Sequence, residues 1–176
     1  ISLIRSLLQS DNQVIILVDI GAESTVISVV EAGALKYSAV NDHGGAYLTQ
    51  AVTRSLGISS LRAEELKRRR GILGRGGELE LSTLLLSFLD VIIEGVSNAR
   101  VSYERRYGKK AQKIVLTGGG ANLAGVDKYF GERLKLDTYH PSPFLNVGYD
   151  PKLEPAIKDI GNEIAVAVGA AKHYFL

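Results

Sequence analysis

The first part of the chain alternates between apolar, β-branched runs and short breaks that carry polar residues or glycine. The runs are Val14–Ile20, Thr25–Val30 and Leu35–Val40. Runs of this length, rich in Val and Ile and bounded by turn residues, are typical of β-strands. Because the breaks are short, consecutive strands should pair as hairpins. The pattern therefore predicts a three-stranded antiparallel meander.

Helical spacing begins in the segment HGGAYLTQAV, where apolar residues recur every three or four positions before Gly57. This spacing predicts an amphipathic helix that ends at that glycine. Ser59 or Ser60 can cap a second helix with the sequence LRAEELKRRR. The segment 71–77 is rich in glycine, and we expect it to be mobile.

The longest predicted helix begins at Ser82 or Thr83, either of which can act as its N-cap, and ends near Tyr107, before Gly108. One of its faces is apolar and carries Leu85, Leu89, Ile92, Val96, Ala99 and Tyr103. A stripe of this kind is expected to pack across one face of the sheet.

The last part of the chain predicts a strand, a helix and a second strand. The strands are Lys113–Thr117 and Leu136–His140, and the helix between them spans about Leu123–Leu134. This order favours parallel pairing. A final helix rich in small residues is predicted over Glu163–Leu176.

Together these elements predict an α/β fold with a mixed five-stranded sheet, an antiparallel meander and flanking helices. Residues 14–176 form the main unit, residues 1–13 a helical lead-in, and about 57–81 a small helical insertion. With 176 residues, the chain is long enough for one such unit, and two independent domains are not expected.

Composition narrows the possible functions. The chain is 45% hydrophobic and 23% charged, with a net charge of +2, which is ordinary for a globular protein and argues against a dedicated nucleic-acid binder. It has no cysteine, which excludes disulfides and thiolate sites, and no run approaches the roughly 20 apolar residues of a membrane span. It also has no methionine, so we expect Ile1 to be the start of an excised or proteolytic fragment.

The first candidate site is the segment VDIGAEST, which follows the first strand. The amide groups of residues 21–24 (Gly21, Ala22, Glu23 and Ser24) can form an anion-binding nest, with the Ser24 and Thr25 hydroxyls as further donors. Asp19 would repel a bare phosphate, so its carboxylate suits Mg²⁺ better, either directly or through water. The alternative is an ordinary hairpin turn in which Asp and Gly serve the turn geometry.

The second candidate is TGGGAN, which contains Gly118, Gly119, Gly120 and Asn122. Glycines at a strand-to-helix junction remove the Cβ atoms that would obstruct a flat ligand, and the following helix supplies donors. The alternative is a tight junction that needs positive φ. A dinucleotide fingerprint is excluded because Leu123 occupies its third glycine position, and no glycine loop is followed by GK[ST], which excludes a Walker A site.

The third candidate is AEELKR, in which Glu64 and Lys67 lie on one helix face. An acidic side chain there could accept hydrogen bonds from ribose hydroxyls, with Lys67 and Arg68 bordering a base or phosphates. The alternative is an exposed ion pair on a solvated helix. The three histidines show no metal-ligand spacing.

These motifs, in this order, resemble the second half of the actin-like ATPases, a group with a ribonuclease H-like fold. VDIGAEST resembles their second phosphate segment, AEELKR their ribose-proximal helix, and IVLTGGGANLAGV their adenosine segment. Within the group, HGGAYLTQAV and the closing YDPKLEPAIKDIGNEIAVAVGAA resemble the PilM family of type IV pilus assembly proteins. An FtsA-like cell-division protein and a sugar or acid kinase are the alternatives, together with a structural domain that keeps the fold without a ligand.

The resemblance implies a cytoplasmic scaffold that binds ATP with Mg²⁺ and the cytoplasmic tail of the pilus protein PilN, and so lies at the inner membrane through its partners. It implies that Asp19, Gly21, Ser24 and Thr25 face phosphates and metal, that Glu64 and Lys67 border the ribose, and that Gly118, Gly119 and Gly120 line the adenosine pocket. HPSPF departs from the Asn-Pro-Phe stretch of that family.

The family brings another phosphate loop from a preceding half, but little sequence precedes the first strand here. The resemblance therefore implies at most a weak ATPase in the full-length protein. We expect the isolated chain to fold but to bind ATP weakly or undetectably, because affinity depends on donors from both walls of a cleft.

Overall fold

A mixed sheet of five strands organises the computed structural model, which describes residues 1–8, 12–72, 79–145 and 147–174. The strands are β1 (Val14–Ile20), β2 (Thr25–Glu31), β3 (Ala34–Asn41), β4 (Lys113–Thr117) and β5 (Asp137–Tyr139), in the spatial order β3-β2-β1-β4-β5. β1, β2 and β3 pair antiparallel, whereas β1 with β4 and β4 with β5 pair parallel. The predicted fold class, including the meander, is confirmed.

Six α-helices flank the sheet within the described residues. They are α1 (Ser2–Leu7), α2 (Gly45–Leu56), α3 (Ser60–Arg70), α4 (Leu79–Tyr107), α5 (Val126–Leu134) and α6 (Glu154–Lys172). Gly57 ends α2 in the left-handed conformation, and the Ser59 side chain caps α3 by accepting from the Arg62 amide at 3.3 Å. The end of α2 and the start of α3 therefore agree with the sequence prediction, because glycine suits the end of a helix and serine suits its start.

Three predicted helix starts are wrong. α4 begins at Leu79, so Ser82 and Thr83 lie inside its first turns rather than at its cap. The helix after TGGGAN begins at Val126, because residues 119–122 first form a 3₁₀ turn. α6 begins nine residues before the predicted Glu163, at Glu154, with Pro155 in its first turn, where the fixed φ of proline is compatible with a helix.

The sheet has a core on each face. Alternate residues of β1 point to opposite faces. One set packs under α2, α4 and α5 (Val14, Ile16, Val18 and Ile20), and the other packs against α1 and α6 (Ile15 and Leu17). The apolar stripe predicted on α4 is buried at every position: Leu85, Leu89, Ile92, Val96, Ala99 and Tyr103.

The segment between α2 and α4 is described only in part. α3 packs against α2 and buries Ala63, and Ile72 is also buried, with its amide donating to the Ala124 carbonyl at 3.1 Å. The rest of the glycine-rich segment predicted to be mobile lies outside the described residues. The separate lead-in (residues 1–13) and the small helical insertion (about residues 57–81) remain predictions.

His140 makes folding stability depend on pH. Its ring is mostly buried beside β4, and burial lowers its pKa below the ordinary 6.5, against the opposing effects of Asp127 and a hydrogen bond with the Leu116 backbone. The folded state therefore disfavours the proton that the unfolded state accepts. We expect stability to fall as the pH drops below about 6.5, until the lowered folded pKa is reached. Urea unfolding at several pH values should show a flatter dependence in His140→Gln; an unchanged slope would exclude this role.

Candidate functional site

The two glycine-bearing segments meet at one edge of the sheet. β1 and β4 are parallel and Asp19 lies opposite Thr117, so GAES and TGGGAN leave neighbouring strands at the same end. Gly118 has φ 80° and ψ 170°, a conformation essentially restricted to glycine. A Cβ atom built on Gly118 would lie 2.5 Å from both Asp19 Oδ1 and the Ile20 carbonyl oxygen. The two segments are therefore packed directly against each other.

An open cleft of about 1440 Å³ lies over this junction. Its lining includes most of the residues predicted from the sequence: Asp19, Gly21, Ala22, Glu23, Glu64, Lys67, Arg68, Gly118, Gly119, Gly120 and Asn122. The fold thus brings the three candidate motifs, which are far apart in the chain, to one concave surface. A surface of this kind is the usual place for a small-molecule site.

Ser24 and Thr25 do not belong to the cleft lining. Thr25 is fully buried, and its hydroxyl donates to the His43 carbonyl at 2.8 Å, so it is not available to a phosphate. The Gly21 amide is also engaged, because it donates to the Ser24 carbonyl at 3.0 Å. The predicted donor set was therefore too large. Within the cleft lining it reduces to the amides of Ala22 and Glu23, for which the described residues provide no acceptor. Outside that lining, Ser24 is half-buried, and its amide and hydroxyl also have no hydrogen-bond partner among the described residues.

Asp19 is a partly buried acid of the cleft without a partner for its charge among the described residues. Its carboxylate is half-buried and has no hydrogen bond or ion pair with any described residue. Burial raises its pKa above the ordinary value of 3.8, because desolvation disfavours the charged form. A carboxylate held in this state is suited to a cation. Among the described residues, no group of three or more His, Asp and Glu is placed to hold a metal ion.

We expect Asp19→Asn to stabilise the ligand-free chain by about 1 kcal/mol, because a neutral side chain avoids the desolvation of a carboxylate. The gain should be present at pH 7 and shrink in acid as Asp19 takes up its proton, since the raised folded pKa means that protonation relieves the cost. Thermal unfolding at pH 7 and pH 4 measures both effects. A destabilised variant at pH 7 would mean that Asp19 has a partner that stabilises its charge.

Lys67 lies at the centre of a hydrogen-bonded network under the cleft wall. Its ammonium donates to Glu64 Oε2 at 2.7 Å, to Thr49 Oγ1 at 2.7 Å and to the Gly45 carbonyl at 3.0 Å. Since an ammonium group has three protons, all its donors are in use. The side chain is only 7% exposed, so the exposed ion pair considered as the alternative is instead a buried cation with a partly exposed acid.

Glu64 is held as an acceptor by this network. Burial acts to raise its pKa, but hydrogen bonds from Lys67 and Thr49 outweigh it, and the pKa lies below the ordinary 4.5. Its carboxylate remains 41% exposed and also contacts Arg68 at 3.4 Å. It is therefore ionised at neutral pH and available to a hydroxyl donor in the cleft. Lys67 acts here as the group that orients Glu64.

The start of TGGGAN is fastened to α6, which sequence reasoning did not assign to the site. The Asn162 carbonyl accepts from the Gly118 amide at 3.1 Å and from the Thr117 hydroxyl at 3.3 Å, and its side-chain amide donates to Asn122 at 2.8 Å. Glu163 forms an ion pair with Arg68 at 3.6 Å. The sequence Gly-Asn-Glu at residues 161–163 was the available signal for this contact. Because the last helix was predicted to begin only at Glu163, Asn162 was not assigned to the site.

The three glycines of TGGGAN have different physical roles. A Cβ on Gly118 or Gly120 would overlap β1, because the first meets Asp19 and the second meets the Ile20 side chain. A Cβ on Gly119 would meet only Glu163, at 3.8 Å, an ordinary contact. Packing therefore requires Gly118 and Gly120 but not Gly119, whose open side faces the cleft.

This architecture is shared with solved structures. A PilM–PilN type IV pilus biogenesis complex matches with a TM-score of 0.79 and 25% identity, over 93% of this chain and 46% of that chain. MreB5 of Spiroplasma citri bound to ADP matches with a TM-score of 0.70 and 17% identity, over 97% and 56%. EutJ of Carboxydothermus hydrogenoformans matches with a TM-score of 0.59 and 20% identity, over 96% and 50%. The fold is that of the actin-like ATPases.

A family model narrows this class. The model described as type IV pilus assembly protein PilM matches residues 2–175. The chain belongs to the PilM family of type IV pilus assembly proteins. It spans about half the length of the solved structures that it matches. The family match favours the pilus interpretation over the FtsA-like and kinase alternatives.

None of the helices in the described parts of the chain combines the length and the apolar character that a membrane span requires.

Proposed function

We propose that this chain forms the wall of an ATP cleft in a PilM-like scaffold for type IV pilus assembly. The observation that carries the proposal is that one cleft holds both the unpaired carboxylate of Asp19 and Gly119, a glycine that packing does not require. Both lie in a cleft whose other walls present backbone amides and an ionised acid. The carboxylate suits a phosphate-bound cation, the open glycine a flat base, the amides the phosphates and the ionised acid the ribose hydroxyls.

The proposal assigns a role to each of the main residues at the predicted site. The amides of Ala22 and Glu23 donate to phosphate oxygens, and Glu64 accepts from the ribose hydroxyls. Gly119 and Asn122 border the adenosine. Mg²⁺, held by Asp19 through water, would neutralise phosphate charge. Lys67 does not bind the nucleotide itself; it fixes the position and charge of Glu64.

Similar proteins support the choice of ligand. MreB5 of Spiroplasma citri, which shares the fold, has been solved bound to ADP and to AMPPNP. The present chain spans about half of that protein, so the opposite wall of the cleft is expected from the rest of a longer protein. We therefore propose weak ATP binding by this chain alone and at most slow hydrolysis in the intact protein.

The partner we propose is the cytoplasmic tail of PilN, since a PilM–PilN complex shares both fold and family with this chain. The protein itself would be cytoplasmic, and its binding to PilN would hold it at the inner membrane. Binding of a fluorescent PilN-tail peptide to the intact protein, with and without Mg·ATP, tests this partner. A tail that does not bind under either condition would exclude it.

The nucleotide proposal is tested with a fluorescent ATP analogue titrated into this chain in the presence of Mg²⁺. We expect dissociation constants in the millimolar range, equivalent to about −4 kcal/mol. Gly119→Val should abolish binding, because its branched side chain would occupy the part of the cleft proposed for the adenosine. Gly148→Val is the matched control, since its Cβ would meet no atom within 4 Å and it lies outside the cleft lining. Equal affinities in the two variants would place the nucleotide elsewhere.

A further inference from the structure

A basic surface lies at the end of the sheet opposite the cleft. β1, β3 and β4 all begin at that end, whereas the cleft is at the carboxyl ends of β1 and β4. The basic end surface comprises Lys36 near the start of β3, Arg105 and Arg106 in the last turn of α4, Lys109 and Lys110 after α4, and Lys113 at the start of β4.

The positive charge of this surface is largely unpaired. Its nearby carboxylates are Glu31, which binds Lys109 and the Tyr103 hydroxyl, Glu104, which pairs with Arg100 at 2.9 Å, and Asp137, which lies opposite Lys113 at the start of β5. Lys36 also attracts Glu31, but Lys109 is the one cation of this surface that forms a close ion pair with a described residue. The whole chain has a net charge of only +2, so carboxylates elsewhere offset the cations of this surface.

Helix electrostatics account for only part of this pattern. Arg105 and Arg106 complement the carboxyl end of the α4 dipole. Lys36, Lys110 and Lys113 lie outside that helix, so the dipole gives no reason for their charges. Glu31 and Asp137 offset part of this charge, and an external anion would relieve the remaining repulsion.

Exposed apolar side chains accompany the cations. Tyr107 is 38% exposed and carries the Arg106 guanidinium 5.6 Å from its ring centroid, and Leu35 is 45% exposed at the start of β3. Long cationic side chains beside an aromatic and an aliphatic group are suited to a polar–apolar boundary, where the charges reach anions and the rings contact hydrocarbon.

We propose that the basic end surface docks on an anionic phospholipid bilayer. Its cations come from three separate elements at one end of the sheet, so they spread over the end of the domain rather than follow one line, as an acidic peptide would require. Phosphates in a membrane plane match that arrangement. Docking here leaves the cleft at the opposite end accessible, and the proposal does not depend on nucleotide binding.

The test is co-sedimentation of the full chain with vesicles of phosphatidylcholine, either alone or with about 40% phosphatidylglycerol. We expect binding only to the anionic vesicles, weakened by added salt. The double variant Arg106→Glu, Lys110→Glu should lower affinity about tenfold or more. The control double variant Lys128→Glu, Lys152→Glu makes the same change in net charge on other surfaces and should bind within about twofold of the unmodified chain.

Circular dichroism checks that the variants fold, and Arg105→Gln, Lys110→Gln provides a milder second pair that should also weaken binding. An equal loss in the control pair would show attraction by net charge alone and overturn the proposal. No binding to anionic vesicles at low salt would also overturn it. Binding of a polyglutamate peptide without binding of vesicles would assign the surface to an acidic protein partner instead.

Discussion

Replacing Gly118 by alanine should lower the free energy of unfolding by about 3 to 5 kcal/mol. The residue occupies φ 80° and ψ 170°, where an L side chain is strained, and its new Cβ would lie 2.5 Å from two oxygen atoms of β1. Because β1 is central to the sheet, it has little room to yield. Urea unfolding monitored by circular dichroism measures the loss.

Gly119→Ala is the matched control for this change. The neighbouring glycine has space for a Cβ and no positive φ, so its substitution should alter stability by no more than about 1 kcal/mol. Equal stability of the two alanine variants would mean that the junction between β1 and TGGGAN accommodates a Cβ atom at Gly118.

Lys67→Met should destabilise the chain by about 2 kcal/mol, even though methionine matches most of the length of the side chain. The substitution removes the donor to Glu64, Thr49 and the Gly45 carbonyl, and hydrogen bonds to a charged group contribute about 1.5 to 3 kcal/mol. It should also raise the pKa of Glu64, because the hydrogen bond from Lys67 is the largest of the effects that lower this pKa against burial.

Arg68→Met is the control, since Arg68 is adjacent in sequence but its side chain is 68% exposed. Its ion pairs with Glu64 and Glu163 are surface pairs, for which about 0 to 1 kcal/mol is expected. Thermal and urea unfolding of both variants make the comparison. A larger loss for Arg68→Met would show that the network depends on the ion pair across the cleft rather than on Lys67.

The strands were predictable because each carries a strong local signal. The meander followed from the short breaks between its apolar runs, and the parallel pairing of β4 with β5 followed from the helix between them, whereas the pairing of β1 with β4 was not predicted. The α4 stripe was predictable for the same reason, since its apolar period matches a helix over many turns. The adjacency of the two glycine segments was implied only by the family resemblance, and the pairing of β1 with β4 provides it.

The parts that could not be predicted depend on tertiary partners. Thr25 was assigned to phosphate because a hydroxyl after a glycine turn is a good donor, but nothing local shows that the His43 carbonyl takes that hydrogen bond. The burial of Lys67 depends on α2 packing against α3. The part played by Asn162 depends on where α6 begins, and its first turns lack a strong apolar period.

The central claim is that nucleotide binds in the cleft formed by GAES, α3 and TGGGAN. Its most direct test is a two-dimensional NMR titration of the ¹⁵N-labelled chain with Mg·ATP to about 10 mM, ten times the expected dissociation constant. We predict shift changes in residues 19–23, 64–68, 118–122 and 162–163, and none in the cleft of Gly119→Val. Shifts confined to the basic end surface, or none in the cleft segments, would contradict an ATP site there.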